Sequence, residues 1–420
     1  MISQMPVRFV LLGLLLAASL AFQPTVFAQN AEDDFVSAIK EGELDLVFRW
    51  RYEFVDQARV DATDPITSNA NASTLLTRLA YETGKYKGFQ FGINFDDSRP
   101  IIVDNFNDTR NGKTQYPVVA DPKGTDLNTV YLAYSGLENA NFVLGRQRIQ
   151  RANQRFVGSV PWRQNEQTMD ALTADIKIGD KTRLFYGYVD RVKRIFGPDD
   201  GSPAANFDGR THLFDLEYDF MPWLKLFGYV YLMDLEGNGD SSASNRTIGI
   251  KGSGNWRLNE TLTLNYAAEF ANQSDYDDNP NSYTEGYYRL DAGSSGSNWG
   301  AAAGLEVLGG GGAAGESFQT PLATLHIFQG RADKFLNPLP NGVEDFFISG
   351  NYKFRGVNMK LTYHDFSANV GSSSYGNELD FTATMPFAKH YTAFAGIAYY
   401  SADEFATDTT KIWLMFTANF

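Results

Sequence analysis

The sequence contains no cysteine. That excludes disulfides, thiolate metal sites and a lipidated cysteine at a mature amino terminus, so packing and backbone hydrogen bonding must hold the chain together. Long apolar runs are also missing: beyond residue 28 no stretch reaches about 18 apolar residues, which excludes a membrane-spanning helix. Histidine is scarce. The four present, His212, His326, His364 and His390, are scattered at spacings that fit no metal motif, and no G-x-S-x-G elbow accompanies them, so an enzyme is not expected. Positive charge is outweighed, with 36 Lys and Arg against 50 Asp and Glu, a net charge of −14 that argues against a nucleic-acid partner.

Residues 1–28 read as a secretory signal peptide, with Arg8 as the only charge, an apolar run from Phe9 to Leu20 and small-residue cleavage after Ala28. Removing Arg8 takes the balance from 36 − 1 = 35 basic to 50 acidic residues, or −15. Export through the Sec pathway is the expectation. Residues 29–42 form a short periplasmic lead-in, with AEDDFVSAIKEG suggesting a helical turn or two, and 43–420 a single domain.

What the chain does have is alternation. From Leu44 to Phe54 the residues Leu44, Leu46, Phe48, Trp50, Tyr52 and Phe54 share one face, and Asp45, Arg49, Arg51 and Glu53 the other. One face suits lipid and the other water. The same period recurs at 73–84, 88–98, 126–135, 140–150, 165–178, 181–195, 209–220, 223–235, 244–254, 260–272, 282–293, 298–308, 343–354, 357–367, 375–385, 390–401 and 409–420, predicting eighteen strands. Their lengths suit tilted strands crossing a hydrocarbon layer, which takes about 9–11 residues.

The connections alternate as well. Those at 57–72, 99–125, 151–164, 196–208, 236–243, 272–281 and 309–342 are mostly long and polar, whereas Tyr86-Lys87, Met221-Pro222 and Arg355-Gly356 are tight. Long loops on one side and short turns on the other predict an all-β transmembrane barrel of 18 antiparallel strands with long extracellular loops and short periplasmic turns. Pro321 to Gly330 would also pass as a strand, but an even count with both ends periplasmic assigns 309–342 to one extracellular excursion. The closing strand places Ile412, Leu414, Phe416, Ala418 and Phe420 on one face, and Trp223, Trp256 and Trp299 fall beside predicted short turns, where an interfacial belt would put them. A mean hydropathy of −0.31 leaves too little apolar sequence for an internal core serving that many strands, and lipid outside a closed sheet removes the deficit.

Between Gly145 and Asp170 lie Arg146, Arg148, Arg151, Arg155 and Arg163. Guanidinium groups bind carboxylates bidentately without losing charge, so the cluster is either a lining for an anionic solute or a set of structural ion pairs. Two other motifs are weak. Gly310-x-Gly312-x-x-Gly315 matches a dinucleotide fingerprint but is followed by no apolar-striped helix, and Asp234, Glu236 and Asn238 resemble the start of a calcium loop whose twelfth position is Asn245. No cofactor is expected, with a weak surface calcium site as the one metal candidate.

The blocks GRQRIQRANQRFVGSVPWRQNEQTMDAL (145–172), RWRYEFVDQ (49–57), VADPKGTDLN (119–128) and FQGRADKFLNPLPNGVEDFF (328–347) together resemble the alginate export family of outer-membrane porins. The resemblance implies a monomeric 18-stranded barrel in the bacterial outer membrane with an arginine-rich pore for a polyanionic saccharide. Its pore lining would be Arg49, Arg51, Glu53, Arg78, Arg146, Arg148, Arg155, Arg163, Asp170, Arg191 and Arg289, with Asp333, Phe335 and Asp345 on or beside a loop near the pore. Expected partners are the lipid bilayer, lipopolysaccharide, the outer-membrane assembly machinery and the anionic saccharide. Competing readings are a general diffusion porin for small solutes and a barrel-embedded lipid hydrolase.

Overall fold

The computed structural model describes residues 35–420, so the signal-peptide reading lies outside the described residues. A short helix, α1 (Phe35–Lys40), precedes eighteen strands. They are β1 (Glu43–Gln57), β2 (Ala70–Glu82), β3 (Phe89–Asn105), β4 (Gly124–Leu137), β5 (Ala140–Gln147), β6 (Thr168–Ile178), β7 (Thr182–Lys193), β8 (Asn206–Met221) and β9 (Leu224–Met233), followed by β10 (Asn245–Arg257), β11 (Thr263–Asp275), β12 (Thr284–Ser295), β13 (Trp299–Leu308), β14 (Val343–Phe354), β15 (Val357–Ser367), β16 (Ser374–Phe387), β17 (Tyr391–Ala402) and β18 (Thr409–Asn419). Each pairs antiparallel with its neighbours in sequence, and β1 pairs with β18 from Val47↔Asn419 to Gln57↔Thr409. The sheet closes, which leaves no unpaired edge in hydrocarbon.

Alternation fixes the two faces. On β1, Arg51, Glu53 and Val55 point inward and are buried, while Leu44 and Phe48 remain exposed on the outside. Every other strand repeats this with outward Leu, Ile, Phe or Tyr, so the exposed apolar surface is a continuous lipid-facing band. Trp223, Trp256 and Trp299 are exposed at the short-turn end. No helix among the described residues is long and apolar enough to cross a membrane. Phe48→Arg is therefore expected to cost about 2 kcal/mol, because it puts a charge into the lipid-facing band one step from the middle of β1. Urea titration of the folded fraction, read by heat-modifiable gel mobility, should show that loss for Phe48→Arg.

Two elements are shorter than the alternation predicts. β5 stops at Gln147 and β6 starts at Thr168, because residues 148–167 leave the wall and turn into the barrel. The stretch 309–342 holds no strand, only one 3-10 turn at Leu325–Ile327, and it too folds inside. The two inward loops join through a parallel bridge between Val157 and Leu322, with Gly158 N donating to Leu322 O at 2.8 Å and Thr324 N to Gln154 O at 3.0 Å.

They turn inward because the wall offers them apolar partners. Phe227, Tyr229, Tyr231 and Met233 of β9 point into the lumen, as do Tyr287, Phe366, Tyr400 and Trp413. Phe156, Phe318 and Phe335 of the loops cover these rings: Phe156 lies 5.3 Å from Tyr229 and 5.2 Å from Tyr287, and Phe335 lies 4.4 Å from Phe366. The buried core is thus inside the barrel, and it constricts the lumen.

Candidate functional site: the constricted lumen

The two loops carry charged side chains into the barrel, and nearly all of them are met by a counter-charge. Arg163 is central: its Nη1 lies 3.1 Å from Glu53 Oε2 on β1, and its Nη2 lies 3.6 Å from Asp333 Oδ2 in the other loop. Asp121, from the β3–β4 loop (106–123), stands 4.0 Å from Arg163 and 3.8 Å from Arg51, which itself pairs with Glu53 at 2.6 Å. Asp333 also takes Lys411 Nζ and His326 Nδ1, each at 2.8 Å. Trp162 stacks on the His326 ring at 4.0 Å and receives the Arg51 guanidinium on its other side at 4.4 Å.

The electrostatics of the loops follow from this crowding. Burial alone would lower the Arg163 pKa, but Glu53, Asp121 and Asp333 outweigh it and raise it. Burial would raise Asp333, yet Lys411, His326 and Arg163 hold it well below the usual carboxylate range. For His326 burial wins over Asp333, and its pKa falls to about 4, so near neutrality the ring is a neutral Nδ1–H donor.

Three further pairings tie the loops to the wall. Arg155, fully enclosed, meets Glu306 at 2.9 Å, and Glu306 also receives Tyr287 Oη at 2.8 Å and Arg289 at 3.3 Å. Arg151 forks onto Asp215 at 2.6 and 2.5 Å. Glu166 pairs with Arg148 and, at 2.7 Å, with Arg78, which also forks onto Asp96. Arg49 makes no ion pair among the described residues; it donates to Gln164 Oε1 at 2.9 Å, Pro161 O at 2.8 Å and Arg163 O. The second loop is pinned where Ala332 N donates to Glu378 Oε1 at 2.7 Å and Arg331 N to Asp380 Oδ2 at 3.2 Å. Gly330 allows that approach, since with φ +79° any Cβ there would fall 2.3 Å from Glu378 Oε2.

Arg49, Arg51, Glu53, Arg78, Arg289 and Asp345 thus project inward from the wall, and Arg148, Arg155, Arg163, Asp333 and Phe335 enter on the loops. Arg146, Asp170 and Arg191, expected in the pore, stand elsewhere. They are successive cross-strand partners on β5, β6 and β7, and they share a face with Val130, Leu144 and Leu172. Met169 and Ala171, on either side of Asp170, belong to the interior core, so the three charged side chains face outward. Asp234, Glu236 and Asn238 do not converge: Asp234 accepts from Arg210 N, Glu236 pairs through its backbone with Asp208, and Asn238 donates to Gly201 O. No group of three or more His, Cys, Asp or Glu suited to a metal occurs among the described residues. Each histidine meets a tyrosine, an aspartate or a carbonyl: His212 Tyr186, His326 Asp333, His364 Asp345 and His390 the Asn419 carbonyl.

Sequence reasoning missed Arg331 and Lys360. Lys360 projects from β15 into the lumen, exposed, between the cross-strand partners Asn351 and Thr382. Arg331 lies 5.9 Å from the Trp162 ring centre. Neither the Arg331 guanidinium nor the Lys360 ammonium makes an ion pair within 4.0 Å among the described residues, although Asp380, which accepts from Arg331 N, is close to both.

A closed 18-stranded barrel with an apolar outer band, long loops at one end and a loop-constricted lumen defines an outer-membrane channel of the porin type. A profile of the alginate export family matches residues 42–274, more than half of the sequence, and the chain belongs to that family. Solved structures with a similar fold include Acinetobacter baumannii OccAB2 (TM-score 0.69, 15% identity, 91% of this chain and 99% of that one) and Pseudomonas aeruginosa OccK9, also called OpdG (0.68, 15%, 91% and 100%). Pseudomonas aeruginosa OpdK with vanillate is a third (0.68, 12%, 91% and 99%). At these identities the likeness is one of fold. No curated protein matches the sequence.

Proposed function

We propose that this bacterial outer-membrane channel passes anionic saccharides, alginate-like oligouronates among them, passively through its constricted lumen. The observation that carries the reading is the state of the cations. The arginines at 148–163 are tied up in ion pairs with carboxylates, whereas the Arg331 and Lys360 side chains face the interior outside any ion pair, with Asp380 nearby and Asn351, Thr382 and Thr384 beside them. Two cations outside any ion pair, set beside amide and hydroxyl groups, favour a solute carrying both carboxylate and hydroxyls. Membership of the alginate export family and a neighbour solved with vanillate, itself a carboxylate, support the same class.

Arg331→Gln with Lys360→Gln should leave the barrel folded and lower the anion-to-cation permeability ratio on the order of 5–10-fold, because two fixed charges are lost from a narrow low-dielectric passage. Reversal potentials in planar bilayers measure it. Unchanged selectivity in a normally folded double variant, or equal passage of neutral and anionic sugars of one size, would leave a general diffusion porin instead.

A further inference from the structure

The outward arginines form an arc with a chemistry of its own. Val130, Arg146, Asp170, Arg191 and Asp208 are successive register partners across β4 to β8; Arg210 stands two residues beyond Asp208 on β8, and Arg246 on β10 lies one outward step lower, in register with Leu232 and His212. The arc lies along the upper border of the apolar band, directly above Leu144, Leu172 and Ile248. On the opposite side of the barrel the corresponding border carries Glu344, Asp365, Asn377, Ser401 and Asp56, with no cation among them.

The arginines are not equally committed. Arg146 spends Nε and Nη2 on Asp170, at 2.7 and 2.9 Å, and Nη1 on Leu127 O at 3.1 Å. Arg191 gives only Nε to Asp208, at 2.5 Å. Arg210 is 73% exposed and stands 3.7 Å from Asp234 and 3.6 Å from Asp277, too far for hydrogen bonds. Arg246 is exposed and makes no ion pair among the described residues.

We propose that Arg191, Arg210 and Arg246 form a docking surface for a phosphorylated glycolipid of the outer leaflet. Guanidinium groups grip phosphate bidentately, and the apolar band immediately below offers its acyl chains a continuous surface. Asp170 and Asp208 hold the row in place and keep Arg146 and Arg191 upright at the border. The surface is independent of the lumen, since these side chains point away from it.

The test uses the full barrel reconstituted in phosphatidylethanolamine bilayers containing either lipid A with both phosphates or lipid A stripped of them. The readout is lipid A retained per barrel after mild detergent extraction. Wild type should retain the phosphorylated form, and the Arg191→Gln, Arg210→Gln, Arg246→Gln variant should lose it on the order of tenfold. Arg331→Gln with Lys360→Gln should retain it like wild type. If the triple variant fails to fold, Arg246→Gln alone still tests the surface, because it leaves no carboxylate unpaired, and a severalfold loss is expected. Equal retention by the variants, equal retention of the stripped lipid, or a change of oligomeric state without a change in lipid retention would each overturn the proposal.

Discussion

Replacing Arg163 by Ala is expected to release the two inward loops while leaving the barrel wall closed. The guanidinium is buried among Glu53, Asp121 and Asp333, so its loss strands three enclosed carboxylates against Arg51, Lys411 and a neutral His326. Breaking a buried ion pair by removing one partner costs about 3–5 kcal/mol. The wall pairs through its own backbone ladder and does not depend on that hub, so the cost falls on loop docking. A shift of this size raises the population of undocked loops roughly a hundredfold or more. Planar-bilayer recordings should show larger and noisier conductance, while heat-modifiable mobility stays normal. Conductance identical to wild type would mean that the hub does not hold the constriction. Arg146→Gln, by contrast, should leave conductance unchanged, because Arg146 faces outward.

Acidification from pH 6.5 to 4 is expected to loosen the same loops. His326 keeps a pKa of about 4 when docked, because burial disfavours the imidazolium, and regains an ordinary value near 6.5 once the loop is in water. Between those values the undocked state binds a proton that the docked state refuses, so docking is strongest above pH 6.5 and weakens as pH falls toward 4. The full excursion is worth about 3 kcal/mol. Asp333 acts in the same direction at lower pH: its pKa is depressed by Lys411, His326 and Arg163 against its burial, so its contribution is present above the usual carboxylate range and is lost on further acidification. The rate of protease cleavage within 309–342 across this pH range reads the docking equilibrium. His326→Gln should flatten the profile between pH 6.5 and 4, and a profile as steep as wild type would remove His326 as the cause.

The sequence by itself determined the wall. Period-two alternation, long and short connections in turn and the lack of any long apolar run leave a closed barrel as the way to satisfy the backbone, and each predicted strand appears in its place, although the one expected at 88–98 runs on to Asn105 through residues read as loop. It also held a sign of the filled lumen in LKLFGYVYLM, where Phe227, Tyr229, Tyr231 and Met233 are as apolar as the lipid-facing Leu226, Val230 and Leu232 between them. A strand apolar on both faces must be covered on the inside.

Only the tertiary structure decided what the arginines do. The run from Arg146 to Arg163 is continuous in sequence, but the chain leaves the wall after Gln147, which puts Arg146 outside and Arg148, Arg155 and Arg163 inside. A one-residue step along a strand reverses the face, and charge density along the sequence carries no record of that step. The partners that neutralise the inner arginines, Glu306 for Arg155 and Asp333 for Arg163, lie more than a hundred residues away. The Arg331 and Lys360 side chains stay outside any ion pair because the nearby Asp380 accepts from the Arg331 backbone N instead, which no local pattern of residues can announce.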